Sequence, residues 1–309
     1  MINNKDLAPV ILFVFDRLEH TKKTIQALKD NALSSQTDLF IYSDGYNGDI
    51  NNNVEKVREY INNVEGFNRI KVIERESNLG LAQNIIEGVT EVIQEYKRAI
   101  ILEDDMVTSP IFLSYMNKAL KKYENRSDVW HISGWGYPID PFGLEDSFFT
   151  KTMHCWSWAT WYDRWEHFEK NPKRLIKNWS IDTINEFNLE SANNFWSQIL
   201  DNDKGRMNTW AIFWYATIFE NNGLCLNPTR SLVDNIGNDG SGQHCTKSEN
   251  FKTEITSDSI QFPKSESINE LAIERIKTFY KDINDVRFDI RLINKLRRIQ
   301  KVIKSKIKL

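Results

Sequence analysis

The stretch from Ala99 to Pro110, AIILEDDMVTSP, constrains the rest of the chain more than any other. Four apolar residues, Ala99 to Leu102, are too few for a helix and rich in β-branched side chains, and they run straight into Glu103, Asp104 and Asp105. That is the pattern of a buried strand ending abruptly at the surface. Adjacent carboxylates at the rim of a sheet repel one another and lose hydration, so a cation is expected to join them, most simply a divalent metal with oxygen ligands. An acidic loop that caps the next helix and stays solvated is the rival explanation for the tripeptide alone. Ser109 and Pro110 are expected to open that helix, as cap and first helical residue.

The preceding chain alternates short apolar runs with helical patterns. Strands are expected at Pro9–Phe15, Leu39–Tyr42 and Ile70–Ile73, and helices at Leu18–Asn31, Val54–Val64 and Leu81–Tyr96. Such alternation implies right-handed crossovers and a mostly parallel sheet with helices on both faces. Ligands of such sheets bind outside the carboxyl ends of the strands. Asp16-Arg17, Ser43-Asp44-Gly45, Arg75 with Asn78, and the carboxylate triplet all stand at those ends.

Competing chemistries lack their marks. There is no GxGxxG and no GxxxxGK[ST], so no glycine loop cradles a phosphate, and a metal must neutralise it. The apolar runs fall short of the ~20 residues of a membrane span, and Met1–Asp6 is polar, unlike a signal peptide. Three cysteines without CxxC spacing argue against a disulfide framework or a thiolate zinc site and for a cytoplasmic compartment. The net charge of −3 conceals a basic amphipathic tail at 287–309, suited either to an anionic membrane surface or to packing one stripe on the body. Nucleic acid is not an expected partner, because the remainder is acidic and carries no recognised binding motif.

A helix at Pro110–Tyr123 and a strand at Val129–Ser133 are expected to extend the sheet. Residues 134–170 are then dense in aromatics, most of them core, with one or two suited to stacking on a pyranose ring. His131, His154 and His167 are expected to be structural or surface residues. Trp210–Phe219 fits a buried helix and Pro228–Val233 a short strand feeding a glycine-rich loop, where His244 is placed to reach a metal.

Taken in order, PVILFVFDR, FIYSDG, NLGLAQNI, IILEDDM, WSWATW and NIGNDGSGQHC resemble the GT-A glycosyltransferases. Among these, the likeness is to bacterial sugar transferases similar to the Golgi N-acetylglucosaminyltransferase that begins hybrid N-glycans. The resemblance implies an α/β GT-A (Rossmann-like) sheet flanked by helices, with an aromatic-rich acceptor half and C-terminal helices. A transferase domain would span 1–245, with a nucleotide-sugar half at about 9–133 and an acceptor half at 134–245, and 246–309 would be an extension. It further implies that Arg17 and Asp44 hold the nucleotide, that Glu103 and Asp104 position sugar hydroxyls and ribose, and that Asp105 ligates Mn²⁺ or Mg²⁺ bridging the diphosphate. Asn78 and Ser241 belong to the donor-binding set, the Asp239–His244 loop would close over the donor, and His244 could add a metal contact.

One departure concerns the base. Relatives carry an acid just before a Trp where this chain has Asn208 and Thr209, neither of which is a base near neutral pH. Asp201, Asp203 and Asp239 are the remaining candidates. The expected activity is metal-dependent, inverting transfer of N-acetylglucosamine or a related hexose from a UDP-sugar. The acceptor would be a cell-surface glycan or lipid-linked oligosaccharide at the inner face of the membrane. A sugar nucleotidyltransferase, or a non-catalytic glycan- or nucleotide-binding domain on a decayed transferase scaffold, are the alternatives.

Overall fold

A computed structural model describes residues 7–48, 52–237 and 251–284. The first half alternates β1 (Val10–Val14), α1 (Leu18–Lys29), β2 (Asp38–Ser43), α2 (Asn53–Ile61), β3 (Arg69–Glu74), α3 (Gly80–Tyr96) and β4 (Arg98–Glu103). Next come β5 (Met106–Thr108), α4 (Phe112–Lys122), β6 (Val129–Ser133), β7 (Ser147–Thr150), β8 (Trp158–Trp161) and α5 (Tyr162–Trp165). The chain continues through α6 (Pro172–Asn178), α7 (Ile181–Phe187), α8 (Trp196–Asp203), α9 (Ala211–Glu220), β9 (Leu224–Pro228) and β10 (Val233–Asn235). Residues 270–284 are helical.

The fold is the expected mixed α/β architecture, an eight-stranded sheet in the order β3-β2-β1-β4-β8-β6-β9-β7. β1 to β4 are mutually parallel where they touch, and β6 is parallel to β9. β8 runs antiparallel between β4 and β6, and β7 is antiparallel to β9. One continuous sheet therefore carries strands from both halves of the chain. α1, α2 and α4 pack on one face, and α3, α5 and α9 on the other. Both faces of β1 and β4 are covered, which is why these strands are apolar runs and not alternating patterns.

Register places the strand ends in line. Val14 pairs with Ser43, Ser43 with Glu74, and Phe13 with Glu103. The polar residues that follow each strand thus emerge at one edge.

Three sequence expectations shift. Pro228–Val233 is not one strand: β9 ends at Pro228 and β10 begins at Val233, because Leu232 N–H and C=O leave the ladder for Gly134 O and Ser109 N. Ser109 and Pro110 stand ahead of α4, which starts at Phe112 with Ile111 at its cap position, and the Ser109 hydroxyl donates to Thr256 O at 2.7 Å while accepting from Ile111 N at 3.4 Å. β7 and β8 lie inside the aromatic stretch, where contiguous apolar side chains hide the period of two.

His131, 0% exposed on β6, shows how the second half is locked. Its ring stacks on Trp158 at 5.5 Å between centroids. Nε2 lies 3.1 Å from the His154 carbonyl, and the Trp214 indole N–H donates to Nδ1 at 3.3 Å. These partners assign the proton to Nε2 and leave a second proton nowhere to go. Burial accordingly lowers the His131 pKa to about 3. An unfolded histidine binds its proton below about 6.5 and the folded one does not, so between these values the unfolded state holds more protons and stability falls as pH falls. The stability advantage of wild type over His131→Gln, from urea melts, is expected to shrink by about 1.4 kcal/mol per pH unit below pH 6.5. A difference independent of pH would contradict a buried neutral imidazole.

Candidate active site

Beyond β1 the chain turns through Asp16 and Arg17 into α1. The Arg17 carbonyl accepts from Thr21 N and Thr21 Oγ, each at 2.9 Å, which fixes Arg17 just ahead of the helix. Its guanidinium then crosses to the end of β4. Nη2 donates to Asp104 Oδ1 and, at 2.9 Å, to Asp105 Oδ2, so one nitrogen bridges both carboxylates. The side chains are 19% exposed for Arg17, 5% for Asp104 and 7% for Asp105. The cation that the triplet demanded is therefore supplied, in part, by the chain itself.

One guanidinium does not balance three carboxylates. Burial raises the Asp104 pKa against the pull of Arg17, with Asp105 adding repulsion. Glu103, half-buried at the strand end, is raised by desolvation and then by Asp105 and Asp104. For Arg17, burial works against the charge, but Asp104 and Asp105 outweigh it and raise the pKa further. Among the described residues, two buried carboxylate oxygens, Asp104 Oδ2 and Asp105 Oδ1, find no hydrogen-bond partner. Such atoms are costly to leave unpaired, and their chemistry, hard anionic oxygen, fits Mn²⁺ or Mg²⁺. Among the described residues no three His, Cys, Asp or Glu side chains form a ready-made metal cage. A cation here would complete its shell from substrate oxygens and water, the habit of Mg²⁺ at phosphates.

The backbone around the triplet is tied on both sides. Thr24 Oγ donates to Asp104 O at 2.8 Å, and Ile236 N donates to Asp105 O at 2.9 Å. β5 pairs with β10, with Val107 opposite Asp234. A Cβ on Gly237 would lie 2.0 Å from Asp105 Oδ2 and 2.9 Å from Arg17 Nη1, so a side chain here would displace the Arg17–Asp105 pair. The stem of the glycine-rich segment is thus seated against the Arg17–Asp105 pair. Asp239, Ser241 and His244, together with the basic tail, lie outside the described residues.

Asp44 and Asn78 come together at the neighbouring strand end, in the service of the backbone. Asp44, 5% exposed, accepts through Oδ1 from Gly45 N (2.8 Å) and Leu79 N (2.9 Å), and through Oδ2 from Gly80 N (2.9 Å). It thereby satisfies the first amides of α3 from another strand, a cap in trans. Asn78 Nδ2 donates to Gly45 O at 2.9 Å. At Gly45 a Cβ would stand 2.2 Å from the Ser77 carbonyl carbon, so the close approach of the two loops requires glycine. Arg58, which sequence reasoning missed, clamps the same corner by donating to Asp44 O (3.2 Å) and Arg75 O (2.7 Å). Its position on the second helix gives no periodic signal of that role.

Asp201 and Asp203 are not brought to this edge by any contact of theirs. Both lie on α8, which packs with α6 and α9 around Leu175, Phe187, Ile199 and Phe213. Asp201 pairs with Arg206 at 3.2 Å. The segment before α9 does approach the sheet, because Trp210 stacks on Trp158 at 5.1 Å and Trp158 pairs with Ile101 of β4. Asn208 there accepts from Lys170, and Thr209 N donates to Asn202 Oδ1 at 3.1 Å.

Asp44→Ala removes three backbone hydrogen bonds at a buried helix start and is expected to cost about 2 kcal/mol in urea melts. An unchanged midpoint would show that the trans cap is not what holds the corner.

No protein-family model matches the sequence, and no curated protein matches it. Among solved structures, the chain is similar to a mannosyltransferase, PcManGT from Pyrobaculum calidifontis in complex with GDP-Man and Mn²⁺, at 10% identity and TM-score 0.38 over 70% of this chain and 72% of that one. It is similar to TarS of S. aureus at 16% identity and TM-score 0.33, over 45% of this chain and 23% of that one. It is also similar to a UDP-glucose pyrophosphorylase complexed with UDP-glucose, at 14% identity and TM-score 0.33 over 54% and 82%. Likenesses this distant fix neither a donor nor an acceptor.

Proposed function

We propose that the chain is a metal-dependent glycosyltransferase that moves N-acetylglucosamine or a related hexose, with inversion, from a UDP-sugar to a cell-surface glycan or lipid-linked acceptor. The observation that carries this reading is the pair of buried, unpartnered oxygens Asp104 Oδ2 and Asp105 Oδ1 at the carboxyl end of a central parallel strand. That edge is where ligands of such sheets bind. Mn²⁺ or Mg²⁺ held by Asp105 would supply charge neutralisation to a diphosphate leaving group. Arg17 bridges the two aspartates, and the Gly237 backbone runs against one side of the pair. Arg17 and Asp44 are assigned to the nucleotide and Asn78 to the donor-binding set, at a corner that the backbone hydrogen bonds of Asp44 and Asn78 hold in place. Glu103 and Asp104 are assigned to sugar and ribose hydroxyls, and Ser241 and His244 to the loop side of the donor.

The base that takes the acceptor proton is proposed among Asp201, Asp203 and Asp239. Asn208 and Thr209, at the position nearest the sheet, cannot do it near neutral pH. That vacancy in the chemistry favours one second reading, a domain that binds the donor without turning it over. Among the described residues no helix is long and apolar enough to cross a membrane, and the proposed membrane contact is peripheral, through 287–309.

Asp105→Asn tests the reading. Removing one of three crowded negative charges is expected to leave stability within about 1 kcal/mol of wild type or to raise it, while transfer from a UDP-sugar with Mn²⁺ falls at least a hundredfold. Unchanged turnover by the folded variant would remove Asp105 from the mechanism. Donor binding without turnover by wild type, across an acceptor panel, would select the binding-domain reading.

A further inference from the structure

Next to the carboxylate edge stands a second anomaly, which the chemistry above does not use. Ser157 has φ of +54°, left-handed for a residue that is not glycine. It is 1% exposed, and among the described residues its hydroxyl has no hydrogen-bond partner. The backbone has no freedom to relax. Gly134 N donates to Ser157 O at 2.7 Å, and Gly134 itself is pinned, since a Cβ on it would meet that same oxygen at 2.9 Å and Phe112 at 2.6 Å. On the other side Trp158 is in register with both Ile101 and Ser133. A strained backbone that holds a buried polar group without a partner persists only where the surroundings enforce it, and such places gather at ligand sites.

Its location gives the anomaly a meaning. Because β8 is antiparallel to β4, Ser157 lies one residue past the Ile101–Trp158 pair toward the edge at which β4 delivers Glu103. Half-buried Trp156 follows, edge-on to buried Trp135 at 5.2 Å, and the Trp135 indole N–H likewise finds no partner among the described residues. Phe251 and His154 close around the same two indoles, at 5.7 and 4.6 Å from Trp156. The register thus sets Ser157, across from Leu102, one position from the Glu103 carboxylate at the strand end, and hydroxyls and carboxylates are the polar groups that bind sugar hydroxyls.

We infer that Ser157 is a specificity-determining residue for the hexose of a nucleotide-sugar, its strained backbone holding the hydroxyl at the β4–β8 junction to hydrogen-bond a sugar hydroxyl beside Glu103. The inference rests on the nucleotide-sugar reading above and adds to it the residue that senses the sugar. A structural role for the strain makes a different prediction, since a merely structural left-handed serine should be improved by glycine with no change in binding.

The test is calorimetry with Mn²⁺ on wild type, Ser157→Ala and Ser157→Gly, using UDP and GDP against UDP-glucose, UDP-N-acetylglucosamine and GDP-mannose, with melting temperatures measured in parallel. Wild type is expected to bind one sugar-nucleotide at least tenfold more tightly than its parent nucleotide. Both variants should lose that preference while binding the parent nucleotide as wild type does, and Ser157→Gly should melt at or above the wild-type temperature. Ser157→Ala keeps the strain and removes only the hydroxyl, so it decides the matter if the glycine variant does not fold. Retention of the sugar preference by Ser157→Ala, or equal binding of nucleotide and sugar-nucleotide by wild type, overturns the inference. Absence of nucleotide binding by wild type overturns instead the donor reading on which it rests.

Discussion

The structure turns on carboxylates at the end of a strand that is buried on both faces. β4 cannot tilt its last residues into water without breaking their pairing with β1, so the charge must be met where it stands. Arg17 meets part of it, bridging Asp104 and Asp105 from the turn after β1. This binds the two central parallel strands at their carboxyl ends and fixes the approach of α1. The remainder, two buried oxygens that find no partner among the described residues, is the charge that the proposed metal would meet. Buried carboxylates left incompletely satisfied cost stability and are tolerated where function requires them.

The surrounding packing makes that edge rigid. Asp44 stitches the β2 loop to the first amides of α3, and Arg58 closes the corner over both. In the second half, stacked Trp158 and Trp210 and the doubly bonded His131 ring bind β6, β8 and α9 into one aromatic layer. Site residues so held lose little entropy when a ligand arrives. The proposed metal, with few protein ligands, would depend on that support.

Much of this was legible in the sequence, and the rest was not for identifiable reasons. The βα alternation from Val10 to Glu103 follows directly from apolar runs and helical periods, as does the carboxylate edge. The bridge from Arg17 to Asp104 joins residues 87 apart, and no local pattern reports such a contact. That both oxygens of Asp44 accept from the first amides of α3 is a contact across 35 residues that no local pattern reports. β5 and β10, three residues each, are too short to show a period, yet they seat Gly237 against Asp105. The WSWATW run conceals a strand because both of its faces are apolar, and it conceals Ser157 because strain is a property of backbone angles.

The most direct measurement of the central claim is Mn²⁺ binding, followed by electron paramagnetic resonance, in the absence and presence of UDP. Shared coordination by Asp105 and a diphosphate predicts weak binding of Mn²⁺ alone and at least tenfold tighter binding with UDP, with UDP tightened by Mn²⁺ to the same degree, as linkage requires. Mn²⁺ affinity that ignores UDP, or UDP affinity that ignores Mn²⁺, would contradict it.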